Sequence, residues 1–303
     1  MLDGFARSIT YLRISITDRC NYRCRYCMPD GGIEKCAHED ICSLEELRDM
    51  AAAAVRCGVK KIRVTGGEPL VHRGAVDFCR MLSEIPGVEE LCVTTNGSLL
   101  KEVARPLRDA GVTHLNISLD TLNEERFRTI TRLGTLSDVL RGIDAAERAG
   151  FAKIKLNCVL LGGVNDDEIA DFVDLTREHP WQVRFIERMP MGCGKDFGTY
   201  LPSQAVLDRC PEVEAVSHDG VAASAGCKGD RRPHRADESC VLRRVQPHPH
   251  HGGREIEALP ALGCGDRAAG LIRRGVGAGH PPWDPDEAGA PPHGRDRRHG
   301  DAP

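Results

Sequence analysis

Residues 12–27 read LRISITDRCNYRCRYC. The first six alternate apolar and polar side chains with β-branched residues among them, which predicts a strand over 12–17. Cys20, Cys24 and Cys27 follow at once in a C-x3-C-x2-C spacing. Thiolate sulfur is the preferred ligand of iron–sulfur irons, and three thiolates this close can occupy three corners of one cluster, leaving the fourth iron open to a small molecule. Two other readings compete here: a zinc site, which wants a fourth Cys or His at ligand spacing, and a disulfide with one thiol left over.

Downstream, short β-branched runs alternate with amphipathic helical runs to about residue 188, the pattern of repeated βα units around a parallel sheet. Strands are predicted at 12–17, 61–65, 90–95, 114–119, 153–160 and 182–187. Helices are predicted at 43–57, 74–84, 99–110, 123–149 in two pieces, and 166–178. Ser43 with Glu46 three residues on forms a capping box, and Gly58, Gly111 and Gly150 stand where helix C-caps belong. Six such units make an α/β fold, a partial (β/α)6 barrel of the TIM-like kind. Chemistry in such barrels collects at the C-terminal ends of the strands. There the sequence places the Cys triplet, Gly66 and Gly67, Thr94 to Gly97, Ser118 and Asp120, and Glu187 to Met189, with Lys155 and Asn157 on the fifth strand. Each alone reads as a turn, a cap or a solvated charge; their convergence on one rim does not.

The 303 residues carry a formal net charge of −4, without a broad basic footprint, so nucleic acid is not an expected partner. No apolar run is long enough to span a membrane and the first residues hold no signal-like apolar core, so no membrane association and a cytoplasmic location are expected. In that reducing setting the 14 scattered cysteines are expected as ligands or buried small side chains rather than disulfides. Cys57, Cys79, Cys92 and Cys158, in apolar periodic segments, are assigned to the buried class. Cys36 and Cys42, in a loop, receive no role.

Tyr26 before the last Cys of the triplet, and VTGGEPL at 64–70 about one βα unit later, resemble the radical S-adenosylmethionine (SAM) superfamily. SITDRCNYRCRYCMP, RVTGGEPL, TTNG, LNISLDTL, K-x-N on the fifth strand and RFIERMPMG narrow the resemblance, over about residues 5–200, to the GTP 3′,8-cyclase family of molybdenum-cofactor biosynthesis. The resemblance implies a SAM-binding 4Fe-4S cluster on Cys20, Cys24 and Cys27. It implies SAM contacts from Tyr26, Gly67, Ser118 and Met189, and GTP contacts from Arg13, Arg63, Thr94 and Lys155. The implied chemistry is one-electron reduction of the cluster, reductive cleavage of SAM, hydrogen abstraction from the ribose of GTP and attack of the sugar radical on C8 of guanine; no protein nucleophile is required. An electron donor such as a flavodoxin or ferredoxin is an implied partner, and a homodimer is compatible with the pattern. Residue chemistry agrees: a glycine pair lets backbone approach a ligand closely, and Arg and Lys suit triphosphate oxygens as a fork and a point charge. For Arg13 and Arg63 an ion pair within the barrel is the competing reading.

After about residue 220 the chain departs from that pattern. The resemblance implies a second cluster on C-x2-C-x13-C and a Gly-Gly tail, whereas residues 221–303 hold Cys227, Cys240 and Cys264 and neither motif. That segment lacks Phe, Tyr, Asn and Thr but has 12 Arg, 13 Gly and 10 Pro, which leaves little with which to build a core. The expectation is a radical SAM core over 5–220, an irregular, poorly ordered segment over 221–303 in place of a second-cluster domain, one cluster instead of two, and weak or no cyclisation. Codons permitted for 239–262, read one nucleotide later, allow cysteines at the positions of Leu242, Val245 and Leu259 and so restore the spacing. This points to out-of-frame translation from near 215–225. The rival readings are a genuine His-rich metal-binding tail, another one-cluster radical SAM enzyme, and a catalytically inactive iron–sulfur protein.

Overall fold

The computed structural model describes residues 9–33, 41–188 and 197–211, together with the strands Val213–His218, Ala222–Cys227, Cys240–Arg243 and Glu255–Ala258. Six parallel strands form its centre: β1 (Tyr11–Ser15), β2 (Lys61–Thr65), β3 (Glu90–Thr95), β4 (His114–Ser118), β5 (Lys153–Leu160) and β6 (Trp181–Glu187), paired in chain order. Between them run α1 (Leu44–Arg56), α2 (Ala75–Ser83), α3 (Leu100–Asp109), α4 (Glu124–Thr131), α5 (Leu136–Ala149) and α6 (Ile169–Glu178), with α7 (Gln204–Arg209) after β6. The predicted elements are all present, and the partial (β/α)6 barrel stands. Four strands extend the sheet: β10 (Glu255–Ala258) pairs with β1, and β9 (Cys240–Arg243), β8 (Ala222–Cys227) and β7 (Val213–His218) follow β6. Beyond the backbone of these strands, the expectation for 221–303 lies outside the described residues.

Local rules explain the boundaries. Ser43 accepts from the Glu46 amide while the Glu46 carboxylate takes the Ser43 amide, which completes the predicted capping box. Gly58, Gly111 and Gly150 have φ of 106°, 89° and 75°, the left-handed region in which helices end without a Cβ penalty. β1 ends two residues earlier than predicted, at Ser15, because the next residues turn to the loop after β2: the Ile16 amide donates to Thr65 O at 3.0 Å, and Thr17 O accepts from the Gly67 amide at 2.7 Å.

Burial alternates strictly along β1, β3 and β5. Strands covered on both faces read as continuous apolar runs; here one face is apolar and the other polar. Ile14, Val64, Val93, Ile117, Leu156 and Phe185 pack with Phe78, Leu100, Leu107, Val139 and Phe172 of the helices in one core. The other face forms the barrel lumen, carrying Arg13, Arg63, Cys92, Thr94, Asn116, Lys155, Asn157 and Arg184 from the six strands. Register aligns Arg13 with Arg63, Thr94 with Asn116 and Lys155, and Ser118 with Asn157 and Arg184.

Two cysteine assignments need correction. Cys79 and Cys158 are buried as expected, but Cys57 is exposed at the C-cap of α1, and Cys92 lies half-buried on the lumen face. An alternating strand places every second residue on that polar face whatever its own hydropathy. Cys42 is buried, and Cys36 lies outside the described residues.

Candidate active site

The cysteine loop leaves the C-terminal end of β1 and is held from three sides. From below, the glycine pair after β2 passes beneath it. The Glu68 amide donates to Arg19 O at 2.7 Å, and a Cβ on Gly67 would stand 2.4 Å from that same oxygen and 2.6 Å from Asp18 O. Sequence reasoning assigned the pair to a ligand; the close approach that the structure displays is to the chain itself, at the root of the cysteine loop.

On one flank, the side chains after β3 reach across. Glu68, almost wholly buried, accepts from Thr95 Oγ1 at 2.8 Å, from the Asn96 amide at 2.6 Å and from the Leu70 amide at 3.0 Å. Asn96 then donates to Asn21 Oδ1 at 2.8 Å, and Asn21 donates to Ser98 Oγ at 2.9 Å. Thr95-Asn96-Gly97, which read as an ordinary turn, thus ties the second and third strand ends to the cysteine loop. Burial pushes the Glu68 carboxyl up against the pull of these hydrogen bonds.

On the other flank, Tyr26 donates to Asp120 Oδ2 at 2.6 Å, while Asp120 Oδ1 accepts from the Val159 amide at 2.9 Å. The main-chain oxygen of Asp120 accepts from Asn165 Nδ2 at 2.7 Å. Next to it, Glu168 binds the Thr121 hydroxyl, the Leu122 amide and Arg126. Burial raises the Asp120 carboxyl to about 6 from an ordinary 3.8. The folded chain therefore holds this proton more tightly than the unfolded chain does. Stability contributed by Asp120 is present below pH about 4 and is lost as the pH rises through about 6. Denaturation midpoints of the cluster-free protein should fall over that interval, and the Asp120→Asn variant should fall less.

The three thiols lie near one another beside these supports. Cys20 and Cys24 are half-buried and Cys27 is exposed. Burial raises the Cys20 thiol, with the charges of Glu68 and Cys27 adding to the shift. Burial raises the Cys24 thiol well above its ordinary value, and Asp120, Cys27 and Cys20 push the same way. Three thiolates that repel one another in a partly dry loop want a polycation among them, and iron supplies it. Among the described residues no three His, Cys, Asp or Glu side chains converge on one point as a single metal ion would require. A cluster sets each thiolate on its own iron and makes no such demand, so the donor set fits the cluster better than zinc.

Deeper in the lumen the charges are cationic. The Arg63 guanidinium lies 5.1 Å from the centre of the Tyr11 ring. Burial lowers Lys155 to about 7, and the neighbouring Arg184 pushes the same way. Arg63, Lys155 and Arg184 all draw the Cys92 thiol down against its burial. Asn116 donates to Cys92 Sγ at 3.0 Å and to Thr94 Oγ1 at 3.3 Å, and leaves its own buried oxygen unpaired. Such a lumen suits a polyanion.

The structure thus brings Arg13, Arg63, Thr94 and Lys155 onto one lumen face and sets Tyr26, Gly67 and Ser118 near the strand ends with the three cysteines. Met189 lies outside the described residues. Sequence reasoning missed Arg184, whose alternation with buried neighbours in QVRFIE was its only signal. It also missed Glu68 and Asn21, for which spacing offers no signal.

Residues 14–176 match the radical SAM superfamily. The chain is 51% identical over 228 residues to a GTP 3′,8-cyclase of Peptoclostridium acidaminophilum, covering 74% of this chain and 70% of that one. It is 53% identical over 256 residues to a GTP 3′,8-cyclase of Pseudomonas putida strain W619, covering 83% and 75%. The latter span runs past residue 220 wherever it starts. Among solved structures, Streptococcus suis SuiB bound to its precursor peptide shares the fold, with a TM-score of 0.56 and 18% identity over 68% of this chain and 45% of that one. Matched over more than half of its length by the superfamily and identical to these cyclases at half of the aligned positions, the chain belongs to the radical SAM superfamily and, within it, to the GTP 3′,8-cyclase family.

Proposed function

We propose that the site binds one 4Fe-4S cluster through Cys20, Cys24 and Cys27, takes SAM against Tyr26, Gly67 and Ser118 with Met189, and receives GTP with its triphosphate among Arg13, Arg63, Thr94, Lys155 and Arg184. The observation that carries this reading is the arrangement of thiols and cations on one sheet face, thiols at the strand ends and cations further in. A molecule anchored by an anionic tail in the lumen presents its other end to the thiols. When bound, the cluster supplies the electron for cleaving SAM, the start of hydrogen abstraction from the GTP ribose. The protein's part is positional. Arg side chains grip the triphosphate as forks and Lys155 as a point charge, and the hydrogen-bonded strand ends fix the distance between substrate and thiols. Reduction from outside, by a flavodoxin or ferredoxin, is favoured by the exposure of Cys27.

Anaerobic iron and sulfide analysis of the reconstituted protein, with EPR of the reduced state, tests this. About four irons per chain and a signal perturbed by SAM support it; about eight irons overturn the single cluster. Iron uptake without SAM cleavage would make the chain an inactive iron–sulfur protein. For residues 221–303 we propose the out-of-frame reading, against which the span shared with the Pseudomonas putida cyclase counts, and clean sequencing of the gene across codons 215–262 without an insertion or deletion overturns it.

A further inference from the structure

Arg132 is the non-glycine residue with positive φ among the described residues, at 64°. It follows the last turn of α4, and no ligand role accounts for that strained backbone. Its guanidinium donates to Arg23 O at 2.6 Å and to Met28 O at 3.1 Å. Those two carbonyls flank Cys24 and Cys27, so one planar group spans the turn that carries two of the three thiols. The same turn is closed inside by the Cys27 and Met28 amides, both donating to Cys24 O at 2.9 Å. It is pinned to α4 by the Arg23 amide on Thr131 O at 3.0 Å and the Arg25 amide on Ile130 O at 2.9 Å. Arg132 also pairs with Asp30, whose side chain is 81% exposed. Tyr22 meets Phe127 of α4 edge-on with ring centres 6.0 Å apart, which seats the other end of the loop on the same helix.

We propose that Arg132 is a positioning residue for the iron–sulfur cluster: by holding the carbonyls on either side of Cys24 and Cys27, it fixes the separation of those two thiols before iron arrives. Both carbonyls accept from Nη1 while Nη2 faces Asp30, so the guanidinium plane is fixed on both sides; a lysine ammonium has donors enough for two carbonyls but carries them on a flexible stem without that plane. From the Arg132 backbone, at φ 64° and ψ −39°, the side chain reaches back over the loop. This inference rests on the cluster reading above.

The test compares Arg132→Gly, Arg132→Lys and Asp30→Ala in the full chain, reconstituted anaerobically, by the rate at which a ferrous chelator strips iron. Glycine accepts the positive φ, so Arg132→Gly removes the guanidinium without adding backbone strain. Groups that orient metal ligands are worth 10–100-fold in metal affinity, so Arg132→Gly should lose iron about tenfold faster. Arg132→Lys should lie between, and Asp30→Ala should match wild type, because an exposed ion pair contributes little. Thermal unfolding of the cluster-free protein and its affinity for GTP should be unchanged in all three. Iron loss from Arg132→Gly at the wild-type rate overturns the proposal. So does a parallel fall in cluster-free stability and GTP affinity, which would mark a general structural role. Wild-type protein that takes up no iron overturns the cluster reading itself, and the role of Arg132 with it.

Discussion

Gly67→Ala should leave the reconstituted protein with less than about a tenth of wild-type SAM cleavage, through loss of the cluster loop's seat. The added Cβ would stand 2.4 Å from Arg19 O, 2.6 Å from Asp18 O and 2.7 Å from Arg19 C. All three are backbone atoms, so no side chain can swing aside. Relief requires the β2 loop and the start of the cysteine loop to separate. That separation breaks the bonds from the Gly67 amide to Thr17 O and from the Glu68 amide to Arg19 O, each 2.7 Å. Overpacking costs about 1–3 kcal/mol, and two lost backbone bonds add about 1 kcal/mol each. The Gly67 φ is not in the left-handed region, so strain plays no part and the effect is one of approach alone. Moving Arg19 also moves Cys20, the next residue. Iron content and SAM cleavage measured beside the denaturation midpoint of the cluster-free protein check the prediction. Full iron and full cleavage in Gly67→Ala would show that the loop tolerates the shift.

Glycine at 66 and 67 shows how far the sequence could be read. The pair signals a close approach, and the motif around it told what family it resembles. Which surface approaches could not be read, because the contact joins residues far apart in the chain. The six strands and their helices were legible because alternation and amphipathic periodicity are local, and the caps because Ser43, Glu46 and the three glycines act within one turn. The lumen cations were legible in part. Arg13, Arg63 and Lys155 came from the family resemblance, while Arg184 sits in QVRFIE, where one arginine between apolar residues is equally a surface position. Asp120 was legible as a rim residue, though alone it reads as a helix cap; its grip on Tyr26 spans 94 residues and belongs to tertiary structure. Arg132 gave no signal, since positive φ at an arginine is a property of the fold.

Lys155→Met should weaken GTP binding about a hundredfold near pH 6–7, in line with the 2–5 kcal/mol lost when one partner of a buried charge pair is truncated. Burial, then the nearby Arg184, lowers the ammonium to about 7. The free protein thus carries this charge only below that pH, whereas a triphosphate seated beside it favours the charged form. The sign follows: once the terminal phosphate is ionised, affinity falls as pH rises above 7, by up to tenfold per unit. The terminal phosphate is fully ionised above about pH 7 and adds no slope of its own there. A guanidinium does not titrate in this range, so the slope belongs to Lys155 and should vanish in Lys155→Met. The same substitution removes a desolvated cation from like-charged company, so the ligand-free protein should be at least as stable as wild type. Binding titrations with GTP from pH 6 to 9, set beside denaturation curves without ligand, separate the possibilities. Weaker binding with undiminished stability places Lys155 on the substrate; weakening of both would make it a strut of the barrel.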